Sequence, residues 1–516
     1  MKRTTKLGWA VLAIALVATP AVAQEIKEGH IKKGQPLAHA PGSWLSMTGA
    51  SYVSGAFKWD EASKRYVVRD DVTLEGLPSA VKMDLAMARE RRKAEGRDRQ
   101  FGSLKEEVEA SLSSSKYLLN NQYISSERRE LYKKVHDSDD FGWWGHCNGE
   151  AAASLYEKVP TKDVEIHGIK FSPNDFKELY TLGYSGDSPT EFRGSRSNIS
   201  NSVYTKAKEL LKNPEDPKFV EEARKLYKEA FYVDAPASWE AKHFKSLFDK
   251  QTKAFDDMTP MDFHDMLTRS VEAGNGLVFD RSPGNVVWNY PASGYESEIK
   301  KSGTKEIDGK TLDVYDLNTK VVYGDYSDYT WSGGGGYEYQ LYVDPATGKA
   351  VGGEWTGSSV TDHPDFAWKP TKSLKDLEND PTRTAEKRKM VRDSKAIERY
   401  LAEELKKKGY SEDVIKRLKE GDYIAVLAET KGKDDELGRY VNYLSDLQNE
   451  LTYRSIYTGA RTLHDKYAAE PANVPAPGPS VSDRLNEAGN SGATPTGGAN
   501  GSTTGGTTGN TGGTVR

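Results

Sequence analysis

The chain has 516 residues, 29% of them charged, with 72 Lys and Arg against 77 Asp and Glu for a net charge of −5. Charges of both signs in mild acidic excess argue against general nucleic-acid binding and say little else about partners. A single cysteine, Cys147, excludes an internal disulfide; in an exported chain it marks an intermolecular link or a reactive thiol.

The N-terminus carries Lys2, Arg3 and Lys6, an apolar core from about Trp9 to Val17, and Ala21-Val22-Ala23 before Gln24. This predicts a secretory signal peptide over 1–23, because the apolar run is shorter than the roughly 20 residues needed to span a bilayer. Cleavage removes three positive charges and moves the net charge from −5 to −8. No later stretch is apolar enough to span, so the expectation is a soluble protein of the periplasm or the medium, without a transmembrane segment. The leader is of bacterial type.

Residues 24–139 are polar, with helical patterns in "LPSAVKMDLAMARERRKAEG" and around Leu104 to Leu119. They read as an independent segment or a pro-region. Over 140–370 helical and strand patterns alternate: Asn148 to Lys158 is an Ala-rich helix stopped by Pro160, and Pro217 to Phe231 and Ser238 to Phe255 read as helices. Then "FHDMLTRSVE" and "GLVFD", separated by "AGNG", read as two strands and a turn, followed by a short strand in "NVVWNYP" and a strand-rich run from Ile307 to Trp368. Helices before the strands give an α+β domain. Residues 371–468 form a charged helical region, a solvated hairpin or small bundle. The Gly, Thr, Asn and Pro composition of 469–516 predicts a flexible tail that cannot build a core.

Cys147 lies in "DDFGWWGHCNGEAAASLYE", where a helix begins. Free cysteine is mostly protonated at neutral pH, and the first turn of a helix favours its anion through unpaired N–H groups and the helix dipole. The expectation is therefore an activated nucleophile rather than an inert buried thiol. Such a thiolate needs a histidine, and the histidine needs an orienting group. His30 and His39 lie in the polar N-terminal segment, and His464 in the charged helical region. His136 and His146 are near Cys147 in sequence, but adjacency does not aim a side chain, and His167 and His243 occupy ordinary strand-like and helical contexts.

His264, placed by this reading on a strand 117 residues after the cysteine, is the expected base. Asp280, 16 residues further on, is the expected orienter. A tight turn at Gly274-Asn275 would instead set His264 opposite Asn285, so Asn285 and Asn289 stand as alternative orienters. His363, before a proline, reads as a turn residue. The glycines at 333–336 lack the Lys-Ser/Thr ending of a phosphate loop. No zinc spacing or EF-hand pattern occurs and no cofactor is required by the residues; calcium dependence is not legible.

Three blocks in order, "WWGHCNGEAAAS", "DFHDMLTRSVEAGNGLVFDRSPGNVVWNYPASGYE" and "GGEWTGSSVTDHPDFAWKP", resemble the transglutaminase elicitor family, known from oomycete cell-wall transglutaminases and found in bacteria. The resemblance covers roughly 140–370. It implies a papain-like, transglutaminase-like core, with Cys147 as nucleophile, His264 as base and Asp280 as orienter. Glu150 departs from the family's pattern, which commonly has tryptophan there; its carboxylate would raise the thiol pKa or attract a cationic substrate.

The implied chemistry is acyl transfer. Cys147 attacks a protein glutamine carboxamide, ammonia leaves, and a lysine or small primary amine resolves the thioester into an isopeptide bond. The oxyanion would take the Cys147 N–H and one further donor, with Trp143, Trp144 and Asn148 as oxyanion or cleft candidates. Two other readings stand beside it: a cysteine protease or amidase on the same triad, and a non-catalytic cell-wall-binding protein.

Overall fold

The structure is a computed structural model that describes residues 25–35, 37–39, 50–97, 100–121, 126–136, 145–186, 189–195, 216–231, 258–281, 287–323, 335–360, 362–370 and 381–468, with a few isolated positions between 206 and 213. The leader at 1–23, the helix expected over Ser238 to Phe255 and the tail at 469–516 lie outside the described residues.

The described strands are β1 (Gly29–Gly34), β2 (Phe57–Asp60), β3 (Arg65–Val68), β4 (Val164–Ile166), β5 (Ile169–Phe171), β6 (Glu191–Gly194), β7 (Leu277–Asp280), β8 (Asn289–Ile307), β9 (Lys310–Tyr323), β10 (Gly335–Asp344), β11 (Lys349–Trp355) and β12 (Phe366–Lys369). β2–β3 and β4–β5 are small hairpins, and the rest form one antiparallel sheet in the order β11-β10-β9-β8-β7-β12-β6, with β1 also paired to β8. The short strand expected in "NVVWNYP" is the start of the 19-residue β8. β8 turns into β9 over Asp308 and Gly309, both at positive φ (50° and 74°), the backbone that a two-residue hairpin with the right-handed twist requires.

Side chains alternate across a strand, so the sheet has two faces, and a separate core covers each. On one face Val278, Phe366 and Trp368 pack with Ala151 and Ala152 of the helix Cys147–Tyr156. On the other, Leu277, Phe279 and Ala367 pack with Phe263, Met266 and Leu267 of the helix Pro260–Glu272. The register agrees, with Val278 opposite Trp368 and Phe279 opposite Ala367.

The segment expected as the strand "FHDMLTRSVE" is part of that second helix. Thr259 caps it, its Oγ1 accepting from the Asp262 N–H at 3.0 Å, and Pro260 occupies the first turn. Phe263, Met266, Leu267 and Val271 then fall on one face at helical spacing and are all buried. Gly274, at φ +70°, ends it.

Packing does not follow the divisions at 139/140 and 370/371. Tyr52, Val81 and Leu118 from the N-terminal part, Ala151 and Tyr180 from the middle, and Tyr457 and Leu463 from the last helix, Asp435–Leu463, share one core. The first half of that last helix packs elsewhere. Its Leu437, Val441 and Leu444 meet Leu401 and Leu405 of the helix Pro381–Lys407 and Leu418 and Val426 of two shorter helices. Among the described residues, no helix is long and apolar enough to cross a membrane.

Candidate active site

Cys147 is the first residue of its helix, and His146 before it is the cap position. The His146 imidazole is 3% exposed and held from two sides. Ser185 gives its own hydrogen to the Thr181 carbonyl at 2.8 Å, so its oxygen accepts from Nδ1–H of His146 at 2.9 Å. Nε2 of His146 is then the acceptor for the Tyr52 hydroxyl at 3.0 Å. Burial lowers the His146 pKa to about 4, which agrees with this neutral tautomer. One turn on, Gly149 lets the Cys147 helix lie directly against the helix Pro173–Ser185. A Cβ at that position would fall 2.1 Å from the Thr181 carbonyl oxygen.

Opposite the thiol stand the end of β7 and the start of β8. Asp280 and Asn289 are register partners, and the Asn289 side-chain amide donates to the Cys147 Sγ at 3.4 Å. Its other end is fixed: the indole N–H of Trp368, on β12, donates to Asn289 Oδ1 at 2.8 Å. Asp280 is fully buried, and its Oδ1 accepts from the backbone N–H of Trp288 at 2.9 Å. All of these groups share the face of the sheet that the Cys147 helix covers.

The electrostatics differ from the sequence expectation. Burial pushes the half-buried thiol's pKa up. The side-chain amide and backbone N–H of Asn289 pull it down, and the carboxylates of Asp280 and buried Glu150 push it up again. Standing at a helix start does not by itself make Cys147 a thiolate, because the dipole's contribution of about 0.3–1 kcal/mol is set against desolvation and two nearby negative charges.

The structure brings Cys147, Asp280 and Asn289 together, and it does not bring His264 to them. His264 belongs to the helix on the opposite face. Its Nδ1 is hydrogen-bonded with the Tyr339 hydroxyl at 2.9 Å, which continues to Thr319 at 2.8 Å and from there to Ser297 at 2.6 Å. This buried chain crosses β10, β9 and β8, and burial lowers the His264 pKa to about 4. The sheet itself stands between that imidazole and the thiol.

Asn289 meets the sulfur directly. Asn148 follows Cys147 in the first turn, half-buried. Trp143, Trp144, Asn285 and His243 lie outside the described residues. His363 stacks on Trp355, with ring centres 4.9 Å apart, and its Nδ1–H donates to the Ser359 carbonyl at 2.7 Å. His39 donates from Nδ1 to the Glu157 carbonyl at the far end of the Cys147 helix. Sequence reasoning missed Trp368 and the clamp on His146. Trp368 stood in plain view in "FAWKP", but nothing local ties it to a residue 79 positions away. Among the described residues, no group of three or more His, Cys, Asp or Glu side chains is placed to hold a metal ion.

No protein-family profile matches the chain, and no curated protein matches it. Among solved structures it is similar to the GP42 transglutaminase from Phytophthora sojae, at 18% identity and a TM-score of 0.37, over 68% of this chain and 87% of that one. At that distance the likeness transfers neither activity nor site residues. What this chain's own residues define is an α+β protein with a cysteine at a helix start facing an Asp/Asn pair on adjacent antiparallel strands.

Proposed function

We propose that the chain is an exported acyltransferase of the transglutaminase kind, with Cys147 as nucleophile, acting on protein glutamines and transferring them to lysine or small primary amines. The observation that carries the reading is the meeting of the Cys147 sulfur with Asn289, beside Asp280, across a helix start and two strands. The three-block sequence resemblance supports the acyl class, and the leader-like 1–23 supports export.

In the first half-reaction the sulfur bonds to the carboxamide carbon, the C–N bond breaks, and ammonia leaves with the proton that the thiol gives up. In the second, the amine nitrogen bonds to the thioester carbon, the C–S bond breaks, and the thiol recovers a proton from the amine. Within each step the proton passes between sulfur and nitrogen and needs a carrier. With His264 on the other face, Asp280, whose charge acts on the thiol, takes that role among the described residues.

The test is incorporation of a fluorescent primary amine into a glutamine-containing protein, with ammonia followed in parallel. Label and ammonia together, both absent from Cys147→Ala, support transfer. Ammonia without label, at any amine concentration, would make the chain a hydrolase on the same thiol. Neither product, from a chain still folded by circular dichroism, would leave binding as its function.

A further inference from the structure

We infer that Asn289 is the donor that holds the Cys147 thiolate, and that Trp368 is the positioning residue that keeps the Asn289 amide turned toward the sulfur. The inference deepens the acyl-transfer reading of the same site and takes its purpose from it; its test does not depend on that reading.

The orientation of an asparagine amide is settled by its partners. An indole N–H can only donate, so the atom it meets at 2.8 Å must be Oδ1, and the NH2 of Asn289 is left facing the sulfur at 3.4 Å. The contacts are enclosed: Asn289 is 5% exposed and Trp368 6%. The indole reaches across β7 to do this, because β12 and β8 are separated by that strand, with Val278 opposite Trp368 and Asp280 opposite Asn289.

Burial, Asp280 and Glu150 oppose ionisation of Cys147, and among the described residues Asn289 opposes them through both its side chain and its backbone N–H, alongside the modest help of the helix start. A hydrogen bond to an ionised acceptor is roughly twice as strong as one between neutral groups and shifts a titration by a unit or more in a site shielded from water. If the amide were turned over, Oδ1 would face the sulfur and repel its negative charge. Trp368 therefore acts on the thiol through Asn289, without touching it.

The experiment is the pH–rate profile of iodoacetamide alkylation of Cys147, on the full mature chain, for wild type, Asn289→Ala, Asn289→Asp, Trp368→Phe and the Asn289→Ala/Trp368→Phe pair. Asn289→Ala should move the inflection to higher pH and slow alkylation at neutral pH by about tenfold. Asn289→Asp, which puts a carboxylate where the donor was, should move it further. Trp368→Phe should move it in the same direction, and the pair should behave like Asn289→Ala alone, since an indole that acts only by orienting the amide has nothing left to orient.

Thermal melts accompany each variant, and if Trp368→Phe does not fold, the two Asn289 variants decide alone. An Asn289→Ala profile that superimposes on wild type overturns the assignment of Asn289. A pair shifted well beyond Asn289→Ala overturns the role given to Trp368. A shifted profile in a chain that never incorporates amine would keep this inference while removing the acyl-transfer reading.

Discussion

The Tyr52 hydroxyl donates to Nε2 of His146 at 3.0 Å, joining the N-terminal part of the chain to the residue immediately before Cys147. The same imidazole and the ring of Tyr453 on the last long helix stand nearly perpendicular, with ring centres 5.9 Å apart. The position of Cys147 thus depends on segments from both ends of the described chain.

The first prediction concerns that dependence. Tyr52→Phe leaves a buried ring nitrogen without its donor and should cost about 1–3 kcal/mol. It should lower the melting temperature while leaving the pH at which Cys147 alkylates nearly unchanged. Removing residues 24–139, as a maturation step would remove a pro-region, should yield an insoluble or unfolded product rather than a more active one, because Tyr52, Val81 and Leu118 belong to the core under the Cys147 helix. A soluble, active 140–516 fragment would contradict this.

The second prediction concerns His264. His264→Ala removes a buried imidazole and leaves the Tyr339–Thr319–Ser297 chain one partner short. A loss of about 2–4 kcal/mol of stability is expected. At a temperature where the variant is folded, its alkylation profile should match wild type. Loss of thiol reactivity in a folded variant would return His264 to the chemistry.

A third prediction follows from three buried histidines. Burial lowers the pKa of His39, His146 and His264 from 6.5 to about 4. Above pH 6.5 each is neutral whether the chain is folded or unfolded, so their packing contributes fully. As pH falls from 6.5 toward 4 the unfolded chain takes up protons that the folded chain refuses, and stability declines. By pH 5 the loss is about 2 kcal/mol per histidine. Denaturant midpoints at pH 7.5 and pH 5 measure it, and His264→Gln should flatten the slope; a midpoint insensitive to pH over that range would refute the assignment.

The fourth prediction separates the two effects of Asp280 on the thiol. Asp280→Asn keeps the acceptor for the Trp288 N–H and removes a charge that raises the Cys147 pKa. Alkylation at neutral pH should speed up several-fold. Amine transfer should nevertheless fall by about 10²–10⁴, the usual contribution of a proton carrier. Transfer that rises together with alkylation would show that Asp280 carries no proton.

Much of this arrangement was legible in the sequence. The Ala-rich run after Cys147, the apolar "GLVFD" ending at Asp280 and the aromatic alternation of "YEYQLYV" are local signals, and each formed the expected element. The helix around His264 was also written locally, in the Thr259-Pro260 start and the spacing of Phe263, Met266, Leu267 and Val271. The face of the sheet was not legible, because no single segment records which helix covers which side. The polar look of the N-terminal part concealed its burial for a related reason. The first half of the helix Ser79–Ala94 is inside and the second half is charged and half-buried to exposed, so its average composition resembles a solvated segment.

The most direct measurement is the intact mass of the mature chain after mixing with a glutamine donor peptide in the absence of any amine acceptor, quenched in acid to preserve a thioester. Acyl transfer through Cys147 predicts an adduct of one peptide less one ammonia, located at Cys147, which disappears when a primary amine is added before quenching and never forms on Cys147→Ala. An adduct on another residue, or one that persists on Cys147→Ala, would contradict it.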